Sequence, residues 1–329
     1  MTGKLTLAVV PLSGCGGCEV QVLRAIAQHE DLMERYEVVY WPFVLEETKL
    51  PEKVDVAIVE GLVRTRENLE TLREIRLRSR TLIALGSCAA WGGIGGLADS
   101  FNPRLSMKAI YGREQLEEAP EMLPRAYAAA DLVPVDYVVS RCPPPVEHIV
   151  LALRAIAEGK KVPVADSTVC SQCPREIKPL EKLEFKPGLP GPEADPKTCF
   201  ISQGYLCLGP VTTVGCGAPC TRHGVTCFGC GGPYMEIAER RDMDIVTALA
   251  RKIATLAGLD PANDLDKVVE ALLRAYELRR FYVFTFASQV VRRKPRGYAV
   301  RSLASTRRDP VFVKRLEERA RFASGEEAA

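Results

Sequence analysis

The first half of the chain predicts a doubly wound α/β fold. Three observations carry this: short segments rich in Val, Ile and Leu, amphipathic segments between them, and glycine-bearing loops where the apolar segments end. "KLTLAVVPL" reads as a buried strand, followed by a helix over Glu19 to Gln28. "YEVVYWPFV" is a second strand and "VDVAIVEG" a third, and "TRENLETLREIRLRS" carries the spacing of an amphipathic helix. "TLIALGSC" and "VDYVVSRCPPP" supply a fourth and a fifth strand, and "VEHIVLALRAIAEGK" is the helix that closes the unit. Short apolar strands alternating with helices make a parallel sheet covered on both faces, a flavodoxin-like domain over residues 1–160.

Beyond Val162 the periodicity vanishes, and Gly, Pro and Cys dominate as far as Gly232. Such a segment buries too little apolar area to fold on side chains alone, so the sequence predicts an irregular domain over 161–232 organised by something else. Helical patterns return from Pro233 in "YMEIAERRDMDIVTALARKIATLAGL" and "DLDKVVEALLRAYELRR", followed by the apolar "FYVFTFAS", giving a helical extension over 233–329. Between Arg292 and Arg321 there are eleven Lys or Arg against three acids. That stretch reads as a solvated tail or a partner-facing surface. A nucleic-acid arm is the weaker alternative, because aromatic side chains able to stack on bases are sparse there.

An apolar content of 47% with 26% charged residues is that of a soluble globular chain. No apolar run approaches the roughly 18 residues of a membrane span, and "MTGKLTLAVVPLSGC" lacks the parts of a signal peptide. The sequence therefore predicts a cytoplasmic protein. Twelve cysteines are anomalous in that setting, where disulfides are disfavoured and metal binding is the better reading.

Four of the twelve follow predicted strands: Cys15 and Cys18 after the first, Cys88 after "LIALGS" and Cys142 after "YVVSR". In an open parallel sheet the carboxyl ends of the strands share one edge, so these thiols are expected to converge there. Gly14, Gly16, Gly17, Gly86, Gly92 and Gly93 let backbone approach a bulky inorganic group and offer N–H donors to its sulfurs. An iron–sulfur cluster is the favoured reading of the quartet. Zinc lacks its usual second close pair of cysteines, and a dithiol would leave Cys88 and Cys142 unexplained. Eight more cysteines (Cys170, Cys173, Cys199, Cys207, Cys216, Cys220, Cys227 and Cys230) lie within 61 residues, enough for two four-cysteine sites.

Catalytic furniture is otherwise scarce. His29 and His148 fall in helices and read as structural, and His223 lies between Cys220 and Cys227 as a minor candidate for a cluster contact. "GCGGCE" and "GGIGGLA" both break the dinucleotide fingerprint, and no Walker loop is present. Three clusters with no reaction centre describe a wire, with the chemistry on another chain.

The set "CGGC" (15–18), "VEG" (59–61), "GSCAAWGGI" (86–94), "RCPPP" (141–145) and the eight-cysteine segment resembles the small subunit of [NiFe] hydrogenases, a relative of the 20 kDa subunit of respiratory complex I. "VCSQCPRE", "CFISQGYLCLGPVTTVGCGAPC", "CFGCGGPY" and "RFYVFTFAS" are similar to the cytoplasmic, methyl-viologen-reducing group linked to heterodisulfide reductase, and then to the sulfhydrogenases. The resemblance covers residues 5–290 and leaves the tail unexplained. It implies a proximal cluster on Cys15, Cys18, Cys88 and Cys142, beside a Ni–Fe centre in a large subunit. It also implies a medial cluster on Cys216, Cys220, Cys227 and Cys230, and a distal one on Cys170, Cys173, Cys199 and Cys207. Membrane-bound relatives carry His at the position of Cys170 and Pro in place of one medial cysteine. Cysteine at both positions here implies three [4Fe-4S] clusters, the match at Cys220 resting on local spacing. Electrons would leave to an iron–sulfur or flavin acceptor near the distal site. Glu60, in "VEG", matches a residue near the proximal cluster and reads as a satisfied structural carboxylate or, less strongly, a proton carrier.

Overall fold

The computed structural model describes residues 3–100, 103–113, 119–239 and 243–288. They divide into two compact units, one made of 3–163 with 285–288, the other of 164–284. The basic stretch from Arg292 to Arg321 lies outside the described residues.

The first unit begins with β1 (Leu5–Pro11), α1 (Gly17–Gln28), α2 (Asp31–Arg35) and β2 (Tyr36–Tyr40). β3 (Val54–Glu60), β4 (Val63–Thr65), α3 (Arg66–Arg78), β5 (Ser79–Leu85) and α4 (Gly86–Trp91) follow. Next come α5 (Pro103–Tyr111), β6 (Met122–Tyr127), α6 (Ala129–Leu132), β7 (Tyr137–Val139) and α7 (Val146–Ala157). Five strands pair in the order β2-β1-β3-β5-β7, every pair parallel. This is the doubly wound order whose switch point falls between β1 and β3.

Each central strand is apolar on both sides. Leu7, Val9, Val56, Ile58, Ile83 and Leu85 face one layer, where they pack with Val22 and Ala25 of α1 and Ile149 and Leu153 of α7. The alternate residues Ala8, Val10, Ala57, Val59, Leu82 and Ala84 face the other layer, with Leu72 and Ile75 of α3. Period-two alternation with no polar phase is what burial of both faces demands. Polar anchors fix the layers. The Tyr36 hydroxyl donates to the Leu153 carbonyl at 2.7 Å, and Thr65 caps α3 by accepting from the Asn68 N–H.

Two elements were not legible as strands. Val63–Thr65 and Met122–Tyr127 pair as a short antiparallel ribbon beside the main sheet, with a shifted register. Segments of three and six residues are too short for periodicity to declare them.

The second unit has turns where the sequence lost its periodicity: 3-10 turns at Val169–Gln172, Ile201–Gln203 and Gly209–Val211, then α8 (Pro219–Arg222). α9 (Met235–Glu239), α10 (Ile245–Leu256) and α11 (Leu265–Ala275) belong to the same compact unit. The helices hold the irregular segment through its backbone. The Leu180 N–H bonds the Leu256 carbonyl, and the Tyr276 hydroxyl accepts from the Leu206 N–H while donating to the Lys186 carbonyl.

Ile58 is 1% exposed at the centre of β3. Truncation to Ala is expected to cost about 2–5 kcal/mol in a denaturant titration. A loss below about 1 kcal/mol would mean that this layer repacks freely.

Candidate functional site

The carboxyl edge of the first unit's sheet gathers the chemistry. β1 runs out through Leu12 and Ser13, whose N–H groups bond the carbonyls of Glu60 and Leu62 at 2.9 and 3.0 Å. The Cys15–Cys18 loop is thereby tied to the end of β3. Cys88 sits in α4 immediately after β5, and Cys142 follows β7. Cys18 is buried, Cys88 half-buried, and Cys15 and Cys142 open to the surface.

These four thiols face one another. Burial pushes the Cys18 thiol up, and charge at Glu60, Cys88, Cys142 and Cys15 pushes it further. The Cys88 thiol rises to about 12, by burial first and then by Cys142, Glu60 and Cys15, against a lowering contact from the Gly95 N–H. Cys142 rises through burial and its neighbour Cys15.

Space at the sulfurs is made by glycine. A Cβ at Gly86, where φ is +80°, would lie 2.3 Å from Cys18 Sγ; one at Gly93 would lie 2.3 Å from Cys88 Sγ. Beside Cys142, Arg141 is buried at the unusual φ of 113°, and its carbonyl accepts the Ser87 N–H at 2.9 Å. A bulky residue at positive φ costs energy that its surroundings must offset, and it lies here between two of the cysteine loops. Among the described residues, no three or more Cys, His, Asp or Glu side chains stand close enough to share a single metal ion. Four thiolates are the donor set of a [4Fe-4S] cluster.

Two buried carboxylates adjoin the thiols. A Cβ at Gly14 would lie 2.8 Å from both Glu60 carboxylate oxygens, so Glu60 lies against the loop that carries Cys15. Burial first, then charge on Glu19, pushes its carboxyl up to about 7. Glu19 is also buried and raised by burial, while the Trp41 Nε1–H, donating at 2.7 Å, pulls it back down. Glu19 was missed in the sequence because it reads as an ordinary first-turn helix residue; only Trp41 folding over it marks it as special.

In the second unit, Cys170 lies on the 3-10 turn Val169–Gln172 and Cys173 caps its C-terminal end, its N–H bonding the Cys170 carbonyl at 3.2 Å. The Cys199 N–H bonds the Glu176 carbonyl at 2.7 Å. The Cys170 thiol rises to about 12 by burial, then by Cys199, Cys173 and Cys227, while the Thr168 hydroxyl lowers it. Cys207 also reaches about 12 by burial; the Gly209 and Cys227 N–H groups lower it, and Cys170 and Cys199 raise it. Gly209 would place a Cβ 3.4 Å from Cys170 Sγ and 3.6 Å from Cys207 Sγ. Cys227 is raised by burial, then by Cys207 and Cys230, and its N–H donates to Cys207 Sγ at 3.3 Å. Cys220 is raised by burial and by Cys216. Cys227 thus stands beside Cys207 and Cys170 as well as beside Cys230.

Three polar residues of this region carried no sequence signal. Gln172 accepts the N–H groups of Gly215 and Gly217 at 3.1 and 2.8 Å, clamping the loop of Cys216 to the turn of Cys170. Thr221 accepts a hydrogen bond from Cys173 Sγ at 3.2 Å, and Arg175 donates to the Thr221 carbonyl. Of the histidines, His29 contacts Arg154 at 3.3 Å, His148 lies in α7, and His223 is an exposed residue ending α8.

Similarity to known proteins agrees with this arrangement. Residues 15–156 match the family model of the NADH ubiquinone oxidoreductase 20 kDa subunit. The chain is 34% identical to one subunit of the F420-non-reducing hydrogenase vhu of Methanococcus voltae, over 73% of this chain and 86% of that one. It is also 34% identical to the delta subunit of sulfhydrogenase 2 of Pyrococcus furiosus, over 70% and 88% of the two chains. The iron-sulfur subunit of the F420-non-reducing hydrogenase of Archaeoglobus profundus is 29% identical over 83% and 96%. The fold and the cysteine-lined edge define an iron–sulfur subunit of an oxidoreductase. The chain belongs to the family of these hydrogenase subunits and is itself a hydrogenase subunit. No helix among the described residues is long and apolar enough to cross a membrane.

Two outcomes are expected at this edge. Gly86→Ala drives a methyl into Cys18 Sγ, so iron in the purified complex should fall by about four atoms per chain; unchanged iron would show that the loop yields. Glu60, with its folded pKa raised to about 7 from 4.5, stabilises the fold fully below about 4.5, and this contribution is lost as pH rises through about 7. Thermal unfolding of the wild type should therefore fall more steeply than that of Glu60→Gln between about pH 5 and about pH 8. Parallel curves would exclude titration of Glu60 in that range.

Proposed function

We propose that this chain conducts electrons between a Ni–Fe centre in a separate large subunit and an external acceptor protein, through three [4Fe-4S] clusters, in the cytoplasm. The observation that carries the reading is the meeting of Cys15, Cys18, Cys88 and Cys142 at one sheet edge, with glycine where side chains would obstruct. These four would hold the proximal cluster. Cys170, Cys173, Cys199 and Cys207 would hold the distal one, which the mutual influence of Cys170, Cys199 and Cys207 supports. Cys216, Cys220, Cys227 and Cys230 would hold the medial one, the 216–220 and 227–230 neighbourhoods being its support.

Bound iron–sulfur clusters supply one-electron redox chemistry without covalent change in the protein. The chain's own part is to hold sulfur as thiolate and to set its environment. Buried thiols raised to about 12, as Cys88, Cys170 and Cys207 are, must shed protons when they ligate iron. N–H groups of Gly95, Gly209, Cys227 and Gly229 aimed at Cys88, Cys207 and Cys227 stabilise the negative sulfur and so favour the electron-rich state. Cys15 and Cys142 open to the surface at the edge where a large subunit would cover them. Val20 and Leu23 of α1 are 43% and 41% exposed, an apolar flank suited to that contact. Glu60 is a buried carboxylate in this setting, serving as a structural partner or a proton station. An iron–sulfur or flavin subunit would dock near the distal site; neither nucleic acid nor a membrane span enters this reading.

A second reading follows from the family model matched by residues 15–156, which describes a subunit of NADH ubiquinone oxidoreductase: a complex-I-like iron–sulfur subunit whose partner lacks nickel. Metal analysis and EPR on the anaerobically purified native complex separate the two. About twelve iron atoms per chain, reducible cluster signals and nickel on the partner are expected. Iron without nickel would favour the complex-I-like reading, and zinc without iron would overturn both.

A further inference from the structure

Arg175 is 9% exposed, two residues beyond Cys173. Its Nε donates to the Thr221 carbonyl at 2.9 Å, and its Nη1 donates to the carbonyls of Asp195 and Thr198 at 2.9 and 3.0 Å. The guanidinium carbon stands 3.7 Å over the Phe200 ring. Three of these four anchors border the Cys170–Cys207 group: Thr198 and Phe200 flank Cys199, and the Thr221 hydroxyl accepts from Cys173 Sγ.

Among the described residues, no carboxylate pairs with this cation. Asp195 offers Arg175 only its backbone carbonyl, while its carboxylate accepts from the Thr198 hydroxyl and the Lys197 N–H. A buried charge needs compensation, and backbone dipoles with an aromatic face supply only part of it. Four thiolates around an iron–sulfur core of charge +2 or +1 would make a net negative group, able to serve as the counter-charge. A lysine would keep the charge but not all of these contacts, because the fixed fork of Arg reaches three carbonyls at once.

We propose that Arg175 is a positioning residue for the distal site whose fixed positive charge raises the reduction potential there. This rests on the reading of Cys170, Cys173, Cys199 and Cys207 as one cluster's ligands. Each electron arriving at that site adds one negative charge within the field of the guanidinium, so the cation stabilises the reduced form more than the oxidised one. Burial strengthens the effect, since the field acts through a low dielectric.

The test is an EPR-monitored redox titration of the purified complex. Cys199→Ser first identifies the signal belonging to this site. Arg175→Gln keeps N–H donors for the carbonyls and removes the charge; Arg175→Lys keeps the charge with poorer donors. In Arg175→Gln the ratio of reduced to oxidised cluster at a given potential should fall at least tenfold, a shift of about 59 mV for one electron. Arg175→Lys should stay near wild type, and the other signals should not move. An unchanged potential in Arg175→Gln overturns the proposal, as does equal displacement in both variants. Should Arg175→Gln lose the cluster altogether, retention of the wild-type potential by Arg175→Lys supports the charge role, and loss in both variants overturns it. If Cys199→Ser alters no cluster signal, the ligand reading itself fails and the inference falls with it.

Discussion

Four sulfurs carried by three loops can meet only if something rigid brings the loop ends together. In the first unit that rigid body is the parallel sheet. Because β1, β5 and β7 all run the same way, their carboxyl ends share an edge, and Cys15, Cys18, Cys88 and Cys142 lie just beyond it. Burial of both faces of the sheet makes that edge stiff. The large side chains of one layer and the small ones of the other, Ala8, Ala57 and Ala84 among them, set how closely the helices approach. The loops can then be short, glycine-rich and poor in apolar contacts of their own.

Charge is the second constraint. Thiols buried together resist ionisation, as the high pKa values of Cys88, Cys170 and Cys207 display, yet thiolates are the form that binds iron. The structure meets this with donors aimed at sulfur rather than with a lysine or histidine at each site. Buried charged side chains stand beside both regions, Arg141 next to Cys142 among them. Glu60 and Glu19 adjoin the sheet-edge thiols, and Arg175 adjoins Cys173 and Cys199.

In the second unit no sheet exists among the described residues to carry the loops, and backbone staples take its place. The Cys199 N–H to the Glu176 carbonyl, the Leu208 N–H to the Cys227 carbonyl and the Gln172 clamp on Gly215 and Gly217 join segments far apart in sequence. Helices α10 and α11 add the apolar body, with Leu249, Ile253, Val268 and Leu272 buried. Gln172 holds the loop of one cysteine group from within the turn of the other, so the two regions share one hydrogen-bonded frame.

The sequence by itself determined the parallel α/β core, because Val, Ile and Leu runs at strand length, alternating with amphipathic helices, have few other ways to hide both faces. It also placed Cys15, Cys18, Cys88 and Cys142 after strands, which in a parallel sheet amounts to placing them at one edge. Tertiary structure alone decided the rest. Glu19 became a buried acid only when Trp41 folded over it, and Arg175 became a buried cation only when Asp195, Thr198 and Thr221 turned their carbonyls toward it. Such roles depend on partners 20 to 46 residues away, and no local period encodes them. The same holds for the β4–β6 ribbon and for Cys227 standing beside Cys207. Short segments and irregular loops take their geometry from what they close against, whereas long apolar strands carry it in their own alternation.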